Sequence, residues 1–131
     1  MRPTIVLLSQ SSDHQELVAR LRAAGSYNEG EIFDHLDRGE CRFEVDLSGE
    51  VICEYDGEEI AEIYERVGEF NAVLIEYPGV ACIRGLLAEV TSGIRGILDT
   101  NYGELLDYEN VLERFRRDPS WDWRSGSSGS T

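Results

Sequence analysis

Over residues 42–56 apolar and charged side chains alternate, and no other stretch limits the fold of this chain so tightly. Phe43, Val45 and Leu47 interleave with Arg42, Glu44 and Asp46, and after Ser48 and Gly49 the parity resumes as Val51, Cys53 and Tyr55. A period of two marks a strand with one buried and one wet face. A two-residue loop at Ser48 and Gly49 would pair Leu47 with Glu50 and send the two apolar sets to opposite faces. A three-residue loop at 48–50 pairs Leu47 with Val51, Val45 with Cys53 and Phe43 with Tyr55, which leaves one face wholly apolar. The hairpin with the three-residue loop is therefore expected. Its other face carries Arg42, Glu44, Asp46, Ile52, Glu54 and Asp56.

The rest of the chain punctuates itself. Ile5-Val6-Leu7-Leu8 reads as a buried strand between Pro3 and a serine-rich turn. Ser12 with Gln15 suggests a capping box for a first helix, with Leu17, Val18, Leu21 and Ala24 inward and Gly25 as terminator. Residues 26–40 fit either a short helix with Ile32, Phe33 and Leu36 on one face or a loop. Asp56 and Glu59 cap a second helix with an Ile60, Ile63, Tyr64, Val67 stripe. Ala72 to Ile75, extended to Tyr77, is a further strand, and Val80, Ile83, Leu87 and Val90 mark a third helix. A strand at 94–98, a turn at 99–103 and a short returning strand follow. Asp107 then caps a last helix with Val111, Leu112 and Phe115 inward, and Trp121 and Trp123 should pack back on the body.

These elements predict one α+β domain over 1–124, with a flexible Ser/Gly tail at 125–131. The expected architecture is a ferredoxin-like β-α-β-β-α-β core with a C-terminal α-β-(β)-α extension. Its sheet would be antiparallel or mixed, with helices on one face. The three cysteines form no CxxC pair, and the sequence shows neither a signal peptide nor a long apolar stretch. Reduced thiols and a cytoplasmic location are the expectation.

Charge narrows the range of partners. The chain has 26 Asp and Glu against 12 basic residues, all Arg, for a net charge of −14. Residues 29–69 hold 15 of the acids and three Arg (Arg38, Arg42, Arg66), a local balance of −12. Such a block repels nucleic acid and anionic membrane and attracts basic surfaces. Acidic surfaces also aid solubility, but close like charges oppose folding unless a partner neutralises them. Glu44, Asp46, Glu54 and Asp56, with Glu58, Glu62 and Glu65 on the second helix, form the candidate partner-binding patch. Tyr27, Phe33 or Tyr55 could supply an aromatic anchor.

Motifs for catalysis are weak. His35 lies among Asp34, Asp37 and Cys41, but three or four convergent metal ligands are not evident, and His14 reads as solvated. Asp99-Thr100-Asn101-Tyr102-Gly103 departs from calcium-loop spacing and reads as a hairpin turn. Cys82, near a helix start, reads as a small buried side chain. The sequence carries no GxSxG, P-loop or dinucleotide fingerprint. No cofactor, metal or catalytic residue is assigned.

A small acidic α+β chain of this character resembles the immunity proteins of bacterial toxin systems. That resemblance implies a non-enzymatic inhibitor covering a basic toxin domain, and it transfers no individual residue. The stretch Gly96-Ile97-Leu98-Asp99-Thr100-Asn101-Tyr102-Gly103-Glu104-Leu105-Leu106, with Phe115-Arg116-Arg117-Asp118-Pro119-Ser120-Trp121-Asp122-Trp123, is similar to the end of uncharacterised actinobacterial proteins. It brings no activity. The competing expectations are a small enzyme or ligand-binding domain, a regulatory or homodimeric module paired through an open sheet face, and a mimic of nucleic-acid phosphates.

Overall fold

Ile5, Val6, Leu7 and Leu8 are each 1% exposed or less, so the first strand is buried on both sides. It is β1 (Thr4–Gln10) of a computed structural model that describes residues 2–125. The elements that follow are α1 (Ser11–Ala23), β2 (Ser26–Asn28), β3 (Asp34–Arg38) and β4 (Cys41–Asp46). A 3-10 turn at Glu50–Glu54 leads into α2 (Gly57–Val67) and β5 (Phe70–Glu76). Then come α3 (Val80–Val90), β6 (Gly96–Asp99), β7 (Leu105–Asp107), α4 (Tyr108–Arg117) and a second 3-10 turn at Trp123–Ser125. The tail expected at 125–131 otherwise lies outside the described residues, at 126–131.

The strands form one sheet in the order β2-β3-β4-β5-β1-β6-β7, and every adjacent pair is antiparallel. The α+β class stands, but the sheet is larger than the sequence reading expected, and a ferredoxin-like core is not confirmed. Strand β1 lies between β5 and β6, and the latter two are joined by α3.

The helices do not all lie on one face. Ile5 and Leu7 point to a core shared with Leu17 and Leu21 of α1, Ile83 and Leu87 of α3, and Val111 and Phe115 of α4. Val6 and Leu8 point the other way, to Ile63 and Val67 of α2. The first core closes at its end with aromatics. Phe115, Trp121 and Trp123 pack ring to ring, with Phe115 and Trp121 centroids 5.0 Å apart, and the Trp123 indole donates to the Tyr77 hydroxyl at 2.8 Å. The two tryptophans thus pack back as the sequence predicted.

Other expectations are corrected. The hairpin over 42–56 does not form. Its first half is β4, but β4 pairs with β3 on one edge and β5 on the other, so no edge is left for residues 51–55. Those residues wind into the 3-10 turn after Gly49, whose φ of +82° suits glycine. Val51 and Tyr55, four residues apart, both reach the α2 core, while Cys53 is exposed. Residues 26–40 are neither a helix nor a plain loop but contain β2 and β3.

The Asp56–Glu59 capping box is present, with Glu59 N–H donating to Asp56 and Asp56 N–H donating back at 2.8 and 2.9 Å. The Ser12 box is absent. Helix α1 starts two residues earlier, after Gln10, and Ser12 lies inside its first turn. The α2 stripe is narrower than expected, since Tyr64 is 56% exposed. The expectation of reduced thiols fails for two of the three cysteines. Cys41 at the start of β4 is disulfide-bonded to Cys82 in the first turn of α3, with Cα atoms 5.7 Å apart.

Candidate interaction surface

Alternation along β4 sends Phe43 and Val45 into the main core and Arg42, Glu44 and Asp46 to the opposite face. Register then assembles neighbours that are distant in sequence. Glu44 stands opposite His35 of β3 on one side and Glu76 of β5 on the other, and Glu76 faces Thr4 of β1. Asn28 of β2 faces His35 and completes a transverse row across five strands. The next row runs Asp46, Leu74, Val6 and Asp99, so two carboxylates flank an apolar pair.

This face is only half covered. Helix α2 and the 3-10 turn pack on Val6, Leu8, Ala72 and Ile97, over β5, β1 and β6. No helix-borne residue of that core reaches β2, β3 or β4, and His35, Glu44, Asp46 and Glu76 are half-buried on the open part. Glu44, Asp46, Glu76 and Asp99 make no ion pair among the described residues, whereas neighbouring Arg42 is engaged by Asp37 at 3.4 Å.

Asp99, on β6, lies in the covered part of the face, beyond Leu74 and Val6 from Asp46. It accepts from the Tyr55 hydroxyl at 2.6 Å and from Asn101 N–H at 2.8 Å. Burial, followed by this hydrogen bond and the Asp99 charge, holds the Tyr55 phenol well above its ordinary pKa. The 99–103 loop is the turn of the β6–β7 hairpin. Asn101 at φ 64° donates to Thr4 Oγ1 at 2.9 Å, and Thr100 Oγ1 accepts from Tyr102 N–H.

The seven acids singled out from the sequence separate into three places. Glu44 and Asp46 lie on the open sheet face. Glu54 and Asp56 lie at the entry to α2, where Asp56 is committed to the capping box. Glu58, Glu62 and Glu65 are exposed on α2, which sits on the same side of the sheet, and Glu62 pairs with Arg66 at 3.4 Å. Sequence reasoning missed Glu76, because only the β4–β5 register brings it opposite Glu44, while Asp99 stays apart from Asp46 across Leu74 and Val6.

Among the described residues no group of three or more His, Cys, Asp and Glu could hold a metal ion. His14 is half-buried rather than solvated, and burial lowers its pKa. A cleft of about 380 Å³ lies elsewhere, lined by Arg66, Arg95, Asp107, Tyr108 and Glu109 among others. Its charges oppose one another. Arg66 is bound to Asp107 at 3.0 Å, and the Tyr108 hydroxyl is buried against Ser9 at 2.7 Å.

No helix among the described residues is long and apolar enough to cross a membrane. No family model, curated protein or solved structure matches the chain.

Proposed function

We propose that this chain is a non-enzymatic binding protein that covers a basic protein surface, as an immunity protein covers a toxin domain. The observation that carries the reading is the open part of the sheet face, where Glu44 and Asp46 of β4 and Glu76 opposite Glu44 make no ion pair among the described residues. Like charges opposed across a sheet weaken it, as Glu44 and Glu76 are here. A partner bearing Arg and Lys would relieve that repulsion and be steered in by the field of a −14 chain. Glu54, Glu58, Glu62 and Glu65 extend the negative surface over the 3-10 turn and α2. Asp56 is set aside, since its carboxylate is used in the helix cap.

The test has two stages. The immobilised chain captures its partner from cells of the source organism, and the purified partner is then studied by association kinetics. Reversing Glu44, Asp46 and Glu54 to Lys should slow association about 10- to 100-fold at low salt, with the difference closing as salt rises. Thermal unfolding should change little, because none of the three is buried. Unchanged association would remove the patch from the reading. If the captured protein is a toxin, co-expression with the chain should restore growth.

A further inference from the structure

We infer that the tip of the β2–β3 hairpin, Ile32 with Phe33, is the apolar anchor of this interface, inserted into a hydrophobic pocket rimmed by Arg or Lys on the partner. The inference rests on the binding reading above and adds the residues that would hold the complex together once charge has brought it in. Ile32 is 81% exposed and Phe33 37%, two adjacent large apolar side chains on a surface where such residues are few. Folding gains nothing from Ile32 at that exposure, and an apolar pair rimmed by charge is the composition of an interface core.

The tip is also pinned. The Asp34 carboxylate accepts from the Tyr27 hydroxyl at 2.5 Å and from Gly30 N–H at 3.2 Å, closing the loop on itself. At Gly30 a Cβ would lie 2.1 Å from the Phe33 carbonyl oxygen, so only glycine allows this crossing. Arg22 stacks on the Tyr27 ring at 5.0 Å and pairs with Glu29 at 3.1 Å, tying the loop to α1. A loop held in this way loses little freedom on binding, which favours affinity.

Charge selects the occupant. Glu31 and Asp34 flank the apolar pair, and β4 carries Glu44 and Asp46 beside the end of β3 that leads from it. Two copies meeting tip to tip would bring these acids together, so a second copy of this chain is disfavoured and a basic partner is selected.

The experiment uses the full chain and the partner protein purified after capture by the wild type. Ile32→Ser with Phe33→Ser should raise Kd at least 30-fold, mainly through faster dissociation and with the salt dependence unchanged. Asp34→Ala keeps the apolar pair but frees the loop, and should raise Kd about 3- to 10-fold. Both variants should keep a wild-type circular dichroism spectrum. If the Ser variant binds normally while the Lys variant of Glu44, Asp46 and Glu54 associates slowly, the anchor is wrong and the binding reading survives. If neither variant changes binding, or no partner is captured, both fail. A wild-type dimer in sedimentation that the Ser variant dissolves would overturn the inference in favour of self-association.

Discussion

Strands β1 and β4 belong to the same sheet, yet the chain builds them on different rules. Strand β1 is apolar on both faces, with Ile5 and Leu7 under α1, α3 and α4 and Val6 and Leu8 under α2. Strand β4 is apolar on one face only, and Glu44 and Asp46 occupy the other. A continuous apolar run therefore marks two covered faces and an alternating run marks one. The backbone repeats the contrast. β1 pairs with β5 over seven residues, Thr4 to Gln10, while β4 pairs with β5 over three, Glu44 to Asp46. The open part of the sheet is thus joined to the rest by a short ladder, the main core and the Cys41–Cys82 disulfide.

The sharpest way to break this comparison is to place one charge on each strand's second face. Leu8→Asp puts an unpaired carboxylate where exposure is 0% and should cost more than about 4 kcal/mol, enough to unfold a marginal domain. Glu44→Ala on the open face should stay within about 0.5 kcal/mol of wild type in urea unfolding. Comparable losses from the two would mean that β4 is covered after all.

The disulfide comes next. It spans 41 residues, and chain-entropy reasoning assigns such a crosslink about 4 kcal/mol. The paired Cys41→Ala and Cys82→Ala variant should lose a large part of that. Hydrogen exchange should show where: protection should fall more in β2, β3 and β4 than in β1, β5 and β6. A uniform fall would mean that the two parts unfold as one unit and that the short ladder is not a weak joint.

The same contrast explains what could be read from the sequence. β4 announced its one buried face through a period of two, and β1 its two buried faces through a continuous apolar run. Helices α1, α3 and α4 showed in helical spacing, and the start of α2 in the Asp56 cap. The error after β4 had a physical cause. Val51 and Tyr55 satisfy a period of two and a spacing of four equally, and only the occupation of both β4 edges decides between them. Strands β2 and β3 were illegible because β3 has one apolar residue, Leu36, which meets Tyr27 and Phe43 across strands rather than along its own. The site was half legible. Glu44 and Asp46 could be placed on a wet face from alternation and Phe33 named as a candidate anchor, but Glu76 depends on long-range register and the exposure of Ile32 on a hairpin that the sequence did not reveal.

The smallest predicted effect is the most diagnostic of why the open face is acidic. Glu44 and Glu76 face each other across β4 and β5 with no cation paired to either among the described residues. Glu76→Gln should therefore stabilise the fold by about 0.3 kcal/mol at low salt, and the gain should vanish as salt screens the pair. Glu62→Gln on α2 is the matched control, because it removes an exposed ion pair with Arg66 and should be neutral or slightly destabilising. The same Glu76→Gln chain should associate more slowly with a basic partner. A residue that weakens the fold but speeds association is the pattern expected where binding requires charge that folding does not.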